Sequence, residues 1–148
     1  MGAYGKDPAT GTKTVVAIAS QSITSATDTN SSGIDLSEFK GWVKIVVNAG
    51  TFTGASPAMD IDIQESSDDG SSDAYADVTG ASFTQITTSN DAQLHVARLL
   101  PSAVERYIRI QATSSGTITA IPIGITVELC GPGDSGDADN TYDFTLSN

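Results

Sequence analysis

Ile121, Ile123, Ile125, Val127 and Leu129 fall on strict alternation, with Pro122, Gly124, Thr126, Glu128 and Cys130 between them. Side chains of a β-strand point alternately to opposite faces. A period of two therefore describes a strand with one buried and one solvated face. The same alternation marks Val43, Ile45 and Val47, then Met59, Ile61 and Ile63, then Ile108, Ile110 and Ala112. No comparable 3.6-residue stripe runs along the chain. Strand-length segments recur about every 10–15 residues with turn residues between them, the pattern of a β-sandwich or barrel. The expected fold is all-β: a single antiparallel β-sandwich of about seven to nine strands, jelly-roll-like or immunoglobulin-like.

The 148 residues suit one domain. Residues 1–12, rich in Gly, Ala, Thr and Pro, read as an N-terminal arm. Residues 13–131 form the sandwich, which Gly131-Pro132-Gly133 brings to an end. Residues 132–148 read as an acidic C-terminal arm with Tyr142, Phe144 and Leu146 on one phase. Within the sandwich, the first strand falls in residues 13–25, with Val16 and Ile18 on one phase. Ile34 and Leu36 mark a short strand or bridge. Trp42 to Ala49 is a strand whose core face is Val43, Ile45 and Val47. Asp60, Asp62 and Gln64 give the strand at Met59–Gln64 an acidic outer face. Short strands follow around Gly80 and at Leu94 to Val96, then longer ones at Arg106–Thr113 and Ile118–Cys130. Pro57 bars a central strand position at its site.

The formal net charge is −11. No Lys or Arg occurs from Ile45 to Ala97, where eight acids do: Asp60, Asp62, Glu65, Asp68, Asp69, Asp73, Asp77 and Asp91. Nucleic-acid binding requires a basic face that displaces counterions from phosphates, and an anionic membrane surface requires one too. Neither partner is expected. The N-terminus carries no apolar signal-peptide core. The longest apolar run is far too short to span a bilayer. Synthesis in the host cytoplasm is the expectation. Cys130 is the only cysteine, so no internal disulfide forms. It is expected on the outward phase of its strand.

No catalytic constellation emerges. His95 is the only histidine, expected to face outward, opposite Leu94 and Val96. No Gly-x-Ser-x-Gly elbow surrounds any serine. Asp60 and Asp62 share a strand face, whereas a glycosidase pair flanks its sugar across a cleft. Asp68, Asp69 and Asp73 flank one glycine, and Asp134, Asp137 and Asp139 another. Ca²⁺ takes six to eight loop oxygens, but neither run follows the EF-hand spacing. Both read as solvated turns. The expectation is no enzyme activity, no cofactor and no metal.

The stretches IDLSEFKGWVKIVVNAGTFTGASPAMDIDIQESSDDG, YADVTGASFTQIT and ERYIRIQATSSG carry a resemblance over Ile34 to Leu129, about two thirds of the chain. A polar turn leads into a strand ending Asn-Ala-Gly. A Gly-x-x-Pro loop, an apolar-acidic strand into Gln-Glu-Ser-x-Asp-Asp-Gly, "ADVTGA" and "RYIR" follow in order. In this plan the chain resembles the small head decoration (cement) proteins of tailed bacteriophages. The resemblance implies a structural virion protein on the outer capsid surface. Its partners would be the major capsid protein and further copies of itself, most often as a trimer. Other readings are a carbohydrate-binding β-sandwich module or a tail or baseplate component.

Trp42 falls on the outward phase of its strand, where a large aromatic suits an edge or interface. Tyr142, Phe144 and Leu146 alternate with Thr141, Asp143 and Thr145 behind an eight-residue polar linker, Asp134 to Thr141. Such a segment can add to an exposed sheet edge. These four residues, Trp42, Tyr142, Phe144 and Leu146, are the candidate subunit or capsid contacts. The arm is expected to dock outside its own sandwich.

Overall fold

The computed structural model describes residues 12–131 and 142–147. The expected N-terminal arm, apart from Thr12, and the run Asp134, Asp137 and Asp139 lie outside these residues. Among the described residues, the elements in chain order are β1 (Thr12–Ile23), β2 (Asp28–Asn30), β3 (Ile34–Asp35), β4 (Val43–Ala49), β5 (Thr53–Gly54) and β6 (Ala58–Ser66). There follow β7 (Ala76–Ser82), β8 (Ile86–Thr87), β9 (Leu94–Leu99), a 3₁₀ turn at Pro101–Ala103, β10 (Tyr107–Ser115), β11 (Ile118–Cys130) and β12 (Thr145–Leu146). Seven of the strands run six residues or more. None of the described residues forms a helix long and apolar enough to cross a membrane.

Two sheets stack into a sandwich. The first has the order β1-β11-β4-β9-β12, with β5 also on β11. The second has the order β2-β10-β6-β7, with β3 on β10 and β8 on β6. The nested antiparallel pairs are β6 with β7, β4 with β9, β2 with β10 and β1 with β11. This is one long hairpin folded back at β6–β7 and rolled so that successive pairs fall in alternate sheets. That arrangement is a jelly roll, not the immunoglobulin order. Tight turns hold the roll. Between β10 and β11, Gly116 has φ +85, and a Cβ there would overlap the Ser56 carbonyl oxygen. Only glycine enters this region without strain.

The core lies where the alternation placed it. Val43, Ile45, Val47, Met59, Ile61, Ile63, Ile108, Ile110, Ile121, Ile123, Ile125 and Val127 are all buried. Burying such a side chain stabilises the fold by about 1.5–3 kcal/mol.

Three expected phases are corrected. Val16 and Ile18 do not share a face: Val16 is 64% exposed while Ile18 is buried. The β1–β11 register shifts between them, and a bulge sends the next residue to the other side. On β9 the inward phase is His95, Ala97 and Leu99, while Leu94 is 60% exposed. Cys130 is buried rather than outward. The turn before β4 covers it: Gly41 N donates to the Cys130 carbonyl at 3.2 Å, and Cys130 N donates to the Trp42 carbonyl at 3.1 Å.

Ile125 sits at the centre of β11, fully buried, and pairs with Ile18 and Val47. Ile125→Ala is expected to lower unfolding free energy by about 2–5 kcal/mol in denaturant titration, through lost burial and a cavity. A loss below about 1 kcal/mol would contradict a central position.

Candidate interaction surface

The two outward faces of the sandwich differ in chemistry. On the first sheet, register aligns the outward residues in rows. Val16, Thr126, Val46 and Val96 lie side by side across β1, β11, β4 and β9. The adjacent row is Thr14, Glu128, Lys44 and Arg98, and the row on the other side includes Gly124, Asn48 and Leu94. The middle of this face is thus apolar. It holds both large hydrophobic residues that stand exposed among the described residues, Val16 and Leu94. Val16 stands on β1 and Leu94 on β9, with the partly buried Val46 and Val96 in the central row; apolar side chains exposed on one face suit an interaction surface. Trp42 lies beside it, half-buried.

The outward face of the second sheet is polar and acidic. Gln85 Nε2 donates to Asp60 at 3.0 Å, and the Ser82 hydroxyl donates to Asp62. Arg109 Nε donates to Gln64 Oε1 at 2.7 Å, and Gln64 Nε2 donates to Asp77 and Gln111 at 2.8 and 3.1 Å. Gln64 is buried beneath this network. The Asp68 carboxylate accepts the backbone N–H groups of Ser71, Ser72 and Asp73 at 2.8–3.1 Å. These bonds, that from Asp73 first, hold the Asp68 carboxyl below the usual carboxylate range. The Ser67 amide does the same for Asp73, and the hydrogen bond to Asp73 raises Glu105. The Asp68–Asp73 run is thus a self-satisfied turn.

Each of the three arginines stacks on aromatic rings. Arg98 Cζ lies 4.5 Å from the Trp42 centroid and 4.5 Å from that of Tyr142. Arg106 covers Tyr107 at 5.0 Å and Arg109 covers Tyr75 at 4.5 Å. Arg106 also grips Asp35 through Nε at 3.1 Å and NH2 at 2.7 Å, which holds the Asp35 carboxyl far below its ordinary value. Tyr75 rises above its ordinary value through burial and its bond to Asp69. The sequence showed these arginines and aromatics but not their pairing, because the partners stand far apart along the chain.

Residues 142–147 close the β9 edge. Asp143 N donates to the Val96 carbonyl at 2.7 Å, Arg98 N to Phe144 O at 3.2 Å, and Leu100 N to Leu146 O at 2.9 Å. β12 runs parallel to β9. Phe144 meets Phe83 edge-to-face, with centroids 5.3 Å apart. Leu146 lies over Gly80 of β7, so the segment bridges both sheets. His95 Nδ1 lies 3.2 Å from Asp143 Oδ2, and Nε2 lies 2.9 Å from the Asn90 carbonyl oxygen. The expectation that the arm docks outside its own sandwich is corrected: this segment lies on its own chain's β9. The backbone groups of an open edge need partners, and the nearest apolar-alternating strand supplies them.

His95 is therefore a buried tether for the arm. Asp60 and Asp62 are engaged by Gln85 and Ser82 on an open face. No group of three or more His, Cys, Asp or Glu among the described residues is placed to hold a metal ion. A cleft of about 440 Å³ opens at one end, between Leu36, Phe39, Pro101 and Val104, with Lys40 and Arg106 at its rim.

No family model matches the chain, and no curated protein matches it. Among solved structures it is similar to the VP2 subviral particle of infectious bursal disease virus, with a TM-score of 0.47 and 14% identity over 91% of this chain and 38% of that one. The chain thus spans well under half of VP2. It is also similar to the C-terminal family 22 carbohydrate binding module of Clostridium thermocellum Xyn10B, with a TM-score of 0.45 and 11% identity over 82% of each chain. A third likeness is to Desmodium yellow mottle tymovirus, with a TM-score of 0.37 and 8% identity over 87% of this chain and 92% of that one. At these scores and identities the likenesses carry no argument about function.

The lowered Asp68 and Asp73 carboxyls give the 66–75 turn a pH dependence. A carboxyl depressed on folding stabilises above its unfolded value, about 3.9 for Asp, and loses that contribution as pH falls through the folded value. In an NMR titration the amide shifts of Ser71 and Ser72 should stay constant through the ordinary carboxylate range and move only below the ordinary Asp value. Asp68→Asn should move them at neutral pH. An Asp68 carboxyl titrating at or above its ordinary value would contradict the turn geometry.

Proposed function

We propose that this protein is a structural component of a tailed-phage virion, a decoration protein that binds the outside of the assembled head and stabilises it. The observation that carries the reading is the contrast between the two outward faces. The apolar face of the first sheet, with Trp42 beside it, turns toward the major capsid protein. The acidic face of the second sheet turns toward solvent, where like charge keeps a densely covered particle soluble. The motif order from Ile34 to Leu129 supports the same reading. Copies assemble as a trimer, so that many weak contacts are multiplied by symmetry. The protein has no catalytic role and needs no cofactor.

The carbohydrate-binding reading has one observation in its favour, the half-exposed Tyr75 and Tyr107 beside the polar network of the second sheet. Stacking on a sugar requires a free ring face, and Arg109 and Arg106 already occupy one face of each ring.

Heads assembled without this protein should form normally but rupture at lower temperature, and adding the purified protein should restore their heat resistance. Immunogold labelling should decorate the head. Equal heat resistance with and without the protein would remove the stabilising role, and label confined to the tail would favour a tail component.

A further inference from the structure

The run from Ile45 to Ala97 holds eight acids and no base. The cations that bracket it, Lys44 and Arg98, are brought directly opposite each other by the pairing of β4 with β9. Both lie on the outward face of the first sheet, in the row beside the apolar one. The Cβ atoms of directly opposed residues stand about 4.5–5.5 Å apart, and like charges placed so repel. One carboxylate shares the row, Glu128, opposite Lys44 on its other side. Glu128 makes no ion pair with Lys44: among the described residues the ion pairs are those of Arg106 with Asp35 and of His95 with Asp143. Arg98 Nε donates to the Thr145 hydroxyl at 3.4 Å, and its guanidinium lies 4.5 Å from the Trp42 and Tyr142 centroids, but it holds no carboxylate. The chain has 18 acids for 7 bases, so these two cations do not lack a partner for want of carboxylates.

We propose that Lys44 and Arg98 receive carboxylates of the major capsid protein, so that the apolar row and the cationic row together recognise an apolar patch bordered by acidic side chains. The inference rests on the capsid reading and names the chemistry of the surface that is met. A planar guanidinium meets a carboxylate through two parallel N–H bonds. The rings beside Arg98 hold its guanidinium in place, which lowers the ordering cost of that pairing. An acid seated against Lys44 and Arg98 also relieves their mutual repulsion, so the pair favours the bound state over the free one. In a chain of net charge −11, this row turns the apolar face, rather than the acidic one, toward an acidic surface.

Binding of the full chain and its variants to decoration-free heads, measured at low and high salt, tests the pairing, with thermal unfolding of each variant as the check on its fold. Lys44→Glu should bind about tenfold more weakly than the parent at low salt, and the gap should narrow at high salt as the charges are screened. Lys44→Gln should weaken binding less, and it serves if Lys44→Glu does not fold. Glu128→Gln removes the acid beside the cations and should tighten binding. Asp62→Asn makes the same change of net charge on the opposite face and should leave binding as it is. Parent binding to heads that neither Lys44 variant weakens would overturn the inference and leave the capsid reading standing. Equal tightening by Glu128→Gln and Asp62→Asn would overturn it too, because net charge and not this row would then be acting. A parent chain that does not bind heads at all would remove the capsid reading and the inference with it.

Discussion

A β-sheet can bury only one of its faces without a third layer, and everything else in this molecule follows from how the chain meets that limit. β11 is the strand that enforces it. Its inward residues Ile121, Ile123, Ile125, Val127 and Leu129 are all buried, and its backbone pairs with β1 and β4 on either side. Fixing this strand fixes the level of every residue in the first sheet. The inward set meets Met59, Ile61, Ile63, Ile108 and Ile110 of the second sheet across the core. The outward set, by the same alternation, can only face away from it. The two unlike outer faces are thus a direct product of one period-two pattern.

Much of this was legible in the sequence, for a physical reason. Alternation reports burial locally, so the strands, their core faces and the all-β class could be read without knowing what paired with what. The pairing itself could not. Whether the sandwich rolls as a jelly roll depends on contacts such as β1 with β11, about a hundred residues apart, which leave no local mark. The phase errors have the same origin. On β9, polarity points to Leu94 and Val96 as the buried pair. The chain instead buries His95, whose two ring nitrogens meet Asp143, 48 residues away, and the Asn90 carbonyl. Burying a polar ring is tolerable once its hydrogen bonds are made. On β1, a bulge invisible in the sequence parts Val16 from Ile18.

The candidate surface was only half legible. Trp42 on an outward phase and an apolar alternation at Tyr142, Phe144 and Leu146 could both be seen. Their convergence on Arg98 could not, since it requires β4, β9 and the C-terminal segment to be adjacent. Stacking of a guanidinium on an aromatic ring contributes about 0.5–2 kcal/mol depending on exposure. Here it fixes the position of each guanidinium over a ring. Arg98, Arg106 and Arg109 each cover a ring, and Arg106 is further held by Asp35.

The central claim is that the two faces have different tasks, and opposite substitutions on each face test it most directly. Val46→Asp places a charge in the apolar row of the first sheet, and Asp62→Lys reverses a charge on the second. Both positions point outward and both variants should fold. Binding of each to decoration-free heads, measured by co-sedimentation, should be lost for Val46→Asp and kept for Asp62→Lys. Loss through Asp62→Lys with Val46→Asp unaffected would contradict the account and turn the acidic face toward the capsid.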